Sequence, residues 1–193
     1  MKNLAHDKLN NLYIVNIVFS AELPIHVGTG ELIYDGTRCI RKHVRNEKGY
    51  LVIPGSSIKG ALTIYYLALF KNIDEVSELF GAPKFQSRAF IEDFATDVRV
   101  TGIRKPEHIP SPIQWAPKIR KHSHIKLYKP FKEYHGTSKK VFLECIPKGT
   151  LIRGRILVIN SSNTEIAKII VALGYSSEEP RGYIMIGYGK GLS

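Results

Sequence analysis

Cysteine is scarce in this chain, with only Cys39 and Cys145 among 193 residues. Two cysteines in an intracellular chain are usually free thiols, so we expect neither a disulfide framework nor a cysteine-rich metal site. Long hydrophobic runs are also missing. The apolar stretch at 12–19 is far too short to cross a bilayer, and no small-residue cleavage site follows it. These absences predict a cytoplasmic protein without a membrane partner.

Acidic residues are too few to balance the basic ones. The chain carries 28 Lys or Arg against 17 Asp or Glu, which gives a net charge of +11. The excess is concentrated between Arg99 and Lys140, where eleven basic residues stand against two acids. A basic segment on a nearly neutral body indicates a polyanionic partner, and nucleic acid is the first candidate. A solvated charged loop is the alternative interpretation.

The most informative stretch is Ile-Pro-Gly-Ser-Ser-Ile-Lys-Gly-Ala-Leu at 53–62. A short apolar run ends at the proline, and an apolar helical pattern follows. Ser56 or Ser57 is predicted to cap this helix, because its hydroxyl can accept a bond from a first-turn N–H. The backbone donors, the helix dipole, both hydroxyls and the Lys59 ammonium together suit a phosphate. The alternative is a plain strand-to-helix connection.

A nucleotide-binding P-loop is excluded at this place. That motif requires Ser or Thr directly after its lysine, where the hydroxyl holds Mg²⁺. Here Gly60 follows Lys59. The sequence therefore does not predict an NTPase.

Periodicity divides the rest of the chain into short strands and three helices. Apolar residues at three- and four-residue spacing indicate helices, and apolar runs bounded by turn residues indicate strands. The stretch at 31–50 is predicted to be a ribbon or loop, and the pattern is lost at 97–139. In the first strand we expect both faces to be buried. The predicted strands are 12–20, 51–53, 88–94, 141–145 and 151–159, and the predicted helices are 57–70, 74–80 and 164–173.

The stretch at 53–62 resembles the signature of the RAMP superfamily, the repeat-associated proteins of CRISPR effector complexes, and is especially similar to the backbone subunits of type III complexes. Further stretches are similar in the same order: His-Val-Gly-Thr-Gly at 26–30, Glu-Leu-Phe-Gly at 78–81, Glu-Cys-Ile-Pro-Lys-Gly-Thr at 144–150 and Gly-Tyr-Gly-Lys at 187–190.

This resemblance, together with the order of the predicted elements, implies an α+β fold with a ferredoxin-like (RRM-like) RAMP core and an inserted basic thumb. Residues 1–193 would form a single RAMP domain, with its core at 12–94 and 141–191 and the thumb-like segment at about 97–140. No aromatic signature of the usual RNA-recognition modules is present, so binding is not expected to use stacking on the sheet face.

The resemblance also implies partners, namely CRISPR guide RNA, target RNA and other RAMP subunits of a multi-subunit effector complex. No cofactor is expected for binding. Aromatic residues between the lysines of the thumb, among them Trp115 and Tyr128, would stack on bases. The predicted RNA-binding residues are Gly28, Gly30, Arg41, Gly55, Ser56, Ser57, Lys59, Lys118, Arg120, Lys121, Arg181, Gly187, Gly189 and Lys190.

The resemblance implies a catalytic residue as well. In the resembled subunits an aspartate after the Gly-x-Gly turn promotes attack by the target RNA's own 2′-hydroxyl, and Asp35 is the only aspartate in that loop. It would act as a base or through a divalent Mg or Mn ion. The sequence departs from the family pattern here, because the family's proline does not follow Asp35. Histidine catalysis by His26 is the alternative.

The function expected from the sequence is a guide-RNA-binding backbone subunit of a type III effector in antiviral defence, which cleaves paired target RNA through an aspartate. Two alternatives stay open. One is a freestanding RAMP endoribonuclease that processes precursor CRISPR RNA. The other is an architectural subunit without nuclease activity.

Overall fold

A computed structural model describes residues 8–83, 85–104, 113–115, 125–127, 141–175 and 184–186. These residues form a mixed α+β structure. Its elements, in chain order, are β1 (Leu12–Ser20), β2 (Gly28–Tyr34), β3 (Cys39–His43), β4 (Val52–Ile53), α1 (Gly55–Phe70), α2 (Ile73–Phe80), β5 (Ala89–Ile91), β6 (Phe94–Thr96), β7 (Gly102–Arg104), β8 (Ile113–Trp115), β9 (Ile125–Leu127), β10 (Val141–Cys145), β11 (Leu151–Ile159) and α3 (Asn163–Ala172).

The main sheet has the strand order β1-β11-β6-β4, and β5 also pairs with β11. All of these pairs are antiparallel. Strands β1 and β11 pair over nine residues, from Leu12 opposite Ile159 to Ser20 opposite Leu151. The helices cover one face of this sheet and enclose a single core. Its fully buried side chains include Ile58, Leu62, Tyr66, Leu79, Phe94, Ile152, Ile156 and Ile169.

Strand β1 has the predicted bounds but only one buried face. Alternate residues from Tyr13 to Phe19 pack against the core, as the period of two requires. On the other face Ile14 is 53% exposed and Val18 is 51% exposed, so the prediction that both faces are buried is wrong. The reason is that the helices of the described residues pack on one side of the sheet only.

A second sheet has the order β2-β3-β10-β7. The predicted ribbon at 31–50 is the antiparallel β2–β3 hairpin, and β10 runs parallel to β3. Strands β10 and β11 follow one another in the chain, but they lie in different sheets. The turn at 147–150 bonds to the end of β1, with Gly149 N–H donating to Ala21 O at 2.7 Å. The chain passes from the second sheet to the main sheet through this turn, and these bonds fix the turn in place.

The strand predicted at 88–94 is interrupted. Strands β5 and β6 lie along the same edge of β11, and Glu92 and Asp93 separate them. The Glu92 N–H still bonds to Arg155 O at 3.1 Å, so the interruption is local. It turns the Asp93 side chain toward the start of α1, where it accepts a hydrogen bond.

Helix α3 begins as the sequence predicts. The Ser162 hydroxyl accepts from the Glu165 N–H at 3.2 Å, and the Glu165 carboxylate accepts from the Ser162 N–H at 2.8 Å. This reciprocal pair is a capping box, which satisfies two backbone donors at the helix start.

Within the predicted thumb, strands β8 and β9 form a two-stranded antiparallel ribbon in which Ile113 lies opposite Leu127. Most of 105–140 lies outside the described residues, and the division into core and thumb stays a prediction. As expected, Cys39 and Cys145 form no disulfide with each other. Within the described ranges no helix combines the length and the apolar character needed to cross a bilayer.

We predict that Gly154→Ala destabilises the protein. A Cβ at residue 154 would lie 2.0 Å from Cδ1 of Phe94, a fully buried ring that stacks on Phe19. Overpacking of this kind should lower the free energy of unfolding by about 1–3 kcal/mol in urea titrations. Gly60→Ala is the control, because Gly60 lies on the exposed side of α1 with no atom within 4 Å of a Cβ. It should stabilise by about 0.5–1 kcal/mol. Equal stabilities of the two variants would contradict the packing described here.

Candidate functional site

Helix α1 begins at Gly55, with Pro54 as its N-cap residue and no side-chain capping bond from either serine. The predicted cap by Ser56 or Ser57 is therefore wrong. The carboxylate of Asp93 takes that role, because its Oδ1 accepts from the Gly55 N–H at 2.8 Å. A carboxylate is favoured at this end of a helix by the dipole and by the unpaired N–H groups.

Gly55 is required by the packing of α1 against β5. A Cβ at this position would lie 2.1 Å from the carbonyl oxygen of Ile91 and 2.9 Å from that of Glu92. Contacts this short cannot be relieved without moving backbone, so only glycine fits. The fold alone accounts for the glycine, and its contact with RNA stays a prediction.

The rest of the first turn is open on one side. The N–H groups of Ser57 and Ile58 both donate to Pro54 O, at 2.8 and 3.2 Å. Ser56 is exposed, and its N–H is the one amide of this turn without an acceptor among the described residues. An exposed amide and hydroxyl at a helix start can bind an anionic oxygen.

Lys59 lies one turn further along, partly buried rather than extended into water. Its Nζ donates to the Ser87 hydroxyl at 2.9 Å, and burial lowers the pKa of its ammonium. The Ser87 oxygen also lies 3.0 Å from Leu79 O and 2.7 Å from Ala89 O, which fixes it between α2 and β5. The lysine ammonium is therefore held against Ser87.

The β2–β3 hairpin carries three further predicted residues. All seven residues of β2 are exposed, including Gly28 and Gly30. Gly30 has φ +92, a conformation that side chains disfavour, and no atom lies within 4 Å of where its Cβ would be. Arg41 is exposed on β3 opposite Leu32. The hairpin thus presents open backbone and a cation on one ribbon.

Asp35 lies in the turn of this hairpin, and both of its carboxylate oxygens accept hydrogen bonds there. Its Oδ1 accepts from the Thr37 N–H at 3.1 Å, the Thr37 hydroxyl at 2.8 Å and the Arg38 N–H at 3.0 Å. Its Oδ2 accepts from Arg38 Nε at 2.8 Å. The bonds from Arg38 and Thr37 hold the pKa of Asp35 well below its usual range. In this arrangement the carboxylate stabilises the turn, and its catalytic role stays a prediction.

Sequence reasoning missed the buried carboxylate that anchors the hairpin. Glu144 on β10 is 4% exposed and accepts from Arg45 Nη2 at 2.8 Å, Lys42 Nζ at 3.1 Å and the His43 N–H at 2.9 Å. Burial alone would raise the pKa of Glu144, but these hydrogen bonds outweigh it and lower the pKa. The available signal was a lone acid in the apolar strand 141–145, which implies buried partners for its charge.

Two buried histidines lie between Glu144 and the strand that precedes α1. His43 Nδ1 accepts from the Val27 N–H at 3.1 Å, and its Nε2 donates to Val52 O at 3.0 Å. His26, the alternative catalytic residue, is buried beside it, with Nδ1 2.6 Å from Glu144 O. Burial lowers the pKa of both rings, that of His43 to about 4. The hairpin is thereby linked to β4, which precedes the first turn of α1.

Apart from His26, the structure divides the predicted site residues into three groups. The start of α1 brings together Gly55, Ser56, Ser57 and Lys59, and the hairpin brings together Gly28, Gly30, Asp35 and Arg41. Among the described residues no group of three His, Cys, Asp or Glu side chains could hold a metal ion. The remaining predicted residues lie outside the described ranges: Lys118, Arg120, Lys121, Arg181, Gly187, Gly189 and Lys190.

We predict that stability falls as the pH decreases from about 7 to about 5, and that His43 causes much of the fall. The unfolded histidine binds a proton near pH 6.5 and the folded one only near pH 4, so its stabilisation is complete above 6.5 and lost as the pH falls. His43 should account for about 2 kcal/mol of the free energy of unfolding over this interval. His43→Gln, whose amide can donate and accept, should flatten the pH dependence in urea titrations. An unchanged slope would contradict this assignment.

Comparisons with known proteins find similar solved structures and one matching family model. A chain of a type III-B Cmr-beta complex bound to cognate target RNA has a TM-score of 0.56 at 14% identity, with 84% of this chain and 51% of that one covered. A chain of a Csm3–Csm4 subcomplex of a type III-A CRISPR-Cas interference complex has a TM-score of 0.47 at 14% identity, over 93% of this chain and 77% of that one.

This chain thus spans about half the length of the Cmr-beta chain. No curated protein matches the sequence. The family model of the RAMP superfamily matches residues 19–192, which is nearly the whole chain. On this evidence the protein belongs to the RAMP superfamily.

Proposed function

We propose that this chain is an RNA-binding subunit of a type III CRISPR effector ribonucleoprotein and holds guide RNA beside other RAMP subunits. The observation that carries the proposal is the position of the 53–62 stretch, in which Ser56 is exposed in the first turn of α1 and Lys59 follows directly after that turn. Family membership and the excess of +11 charges support the same ligand.

A phosphate would approach this turn from the side of Ser56. Asp93 already occupies the Gly55 N–H and repels an anion on that side. The exposed Ser56 amide and hydroxyl remain available, and Lys59 supplies the positive charge one turn below them. The hairpin, with Gly28, Gly30 and Arg41, provides a second contact for the same strand. The basic segment between Arg99 and Lys140 would contact the paired target.

We also propose that the core is ferredoxin-like. In that scheme two strand–helix–strand units interleave in one antiparallel sheet. Strands β1, β11 and β5–β6 lie side by side in this manner, α1 lies between β1 and β5–β6 in the chain, and α3 follows β11 as the second helix of the scheme. The scheme brings the start of α1 close to the break between β5 and β6, as the Asp93 contact requires.

Target cleavage is the part of the function that depends on Asp35. To accept a proton or bind a Mg or Mn ion, the carboxylate must exchange part of its bonds with Thr37 and Arg38. Because these bonds make it a turn residue, a purely architectural subunit is the second candidate function.

Lys59→Ala should weaken binding of guide RNA without unfolding the protein. Loss of one phosphate contact should also reduce the slope of log K against log salt by about one unit. Ser56→Ala combined with Ser57→Ala should weaken binding in the same direction. Lys71→Gly is the matched control, since it removes a charge at the opposite end of α1 in a left-handed conformation that glycine tolerates. If Lys59→Ala and Lys71→Gly bind guide RNA equally well, the phosphate site is wrong.

Asp35→Asn and Asp35→Ala separate the two roles of this residue. The asparagine oxygen can still accept from the Thr37 and Arg38 N–H groups, so the turn should persist. If the carboxylate is catalytic, both variants should cut guide-paired target RNA about 10²–10⁴-fold more slowly with nearly unchanged RNA affinity. A chelator should reproduce the loss if a metal takes part. Full cleavage by Asp35→Asn, with reduced stability of Asp35→Ala, would assign Asp35 to the turn alone.

A further inference from the structure

The main sheet has an exposed apolar face on the side away from helices α1 and α3, which we call the outer face. Ile14 of β1, Leu157 of β11 and Phe90 of β5 lie in one row across three strands. Leu12 and Ile159 form the neighbouring row. Ile14 and Leu12 are exposed by about half, and Phe90 is 44% exposed. The two rows make a continuous apolar patch rather than scattered side chains.

The charged side chains beside this patch form ion pairs, so their charges are balanced. Arg155 donates from Nε and Nη2 to the two carboxylate oxygens of Glu92, both at 2.9 Å. Arg153 Nε lies 2.7 and 2.9 Å from the carboxylate oxygens of Asp97. Among the described residues of β1 and β11, these arginines are the only charged ones on the outer face. A chain with a net charge of +11 thus has a face that is locally neutral.

This chemistry disfavours RNA as the ligand of the outer face. RNA-binding sheet faces stack bases on aromatic rings and neutralise phosphates with unpaired cations. Here the two apolar rows contain one aromatic residue, Phe90, and a phosphate would have to displace Glu92 or Asp97 from its arginine. The aliphatic side chains offer no hydrogen bonds to a base.

We propose that the outer face docks a protein whose contacting surface is apolar and charge-balanced. An apolar centre beside polar groups that include arginine is the usual anatomy of a protein interface. Contiguous apolar patches on a folded chain mark such sites more often than isolated exposed residues do. The inference rests on the proposed function in one respect, because it identifies the docked protein as a neighbouring subunit of the effector.

A photo-cross-linking amino acid tests this surface in the assembly itself. The full chain, tagged and expressed in its own cells, would carry the cross-linker at Ile14 or, as the control, at Val171. Val171 lies on α3 and is 41% exposed, on the opposite side of the sheet. The purified complex would then be irradiated, and mass spectrometry would identify the cross-linked molecule. We expect a neighbouring RAMP subunit of the effector, in high yield at Ile14 and absent at Val171.

Ile14→Glu and Val171→Glu form the matched pair of variants. Ile14→Glu should reduce the amount of that cross-linked protein in the purified complex by about tenfold or more, because a carboxylate would be buried in an apolar contact. Val171→Glu should retain it. Both variants should bind guide RNA within about twofold of the wild type.

The outcomes distinguish the two proposals. Cross-linking of Ile14 to RNA, equal cross-linking at both positions, or an unchanged composition with Ile14→Glu would overturn the docking surface. Absence of RNA from the wild-type complex, with a protein still cross-linked at Ile14, would overturn the proposed function instead.

Discussion

The buried carboxylate of Glu144 is the contact on which the second sheet depends. It lies in β10 and holds three donors of the β3 segment, from Lys42, His43 and Arg45, all more than 95 residues earlier in the chain. Because this carboxylate is buried, its charge has to be compensated by these donors, two of which carry a positive charge. His43 then bonds to Val52, so the same contact fixes the hairpin relative to the start of α1.

Local signals were sufficient for much of the fold. The apolar stretch at 12–20 predicted β1, and the apolar helical pattern at 164–173 predicted α3, since both signals lie within a few residues. Partners distant in sequence could not be read in the same way. Asp93 caps a helix that begins 38 residues earlier, and the turn at 147–150 changes sheets through bonds to Ala21. Those bonds depend on tertiary packing, which overrides local pattern.

The candidate site shows the same division. The glycines and Lys59 were predicted from the resemblance and the phosphate argument. Glu144 bonds to the hairpin and Ser87 bonds to Lys59, but the sequence gives only weak signals for these two residues. Packing accounts for only part of the 53–62 stretch. Gly55, Ile58 and Leu62 are explained by packing against β5 and the core. Ser56, which is exposed, has no such structural duty.

Asp93 has a consequence for the choice of ligand. Its carboxylate lies at the positive N-terminal end of α1. Because it offsets part of the positive charge there, the electrostatic attraction of this helix end for a second anion is weaker. A small anion such as inorganic phosphate has no other contact to offset that loss. Under the proposed function, a polymer that already touched the hairpin near Arg41 would present its next phosphate at high effective concentration, and the weak site would then be filled. A helix end with this arrangement would discriminate by chain length, favouring a strand over its free monomers.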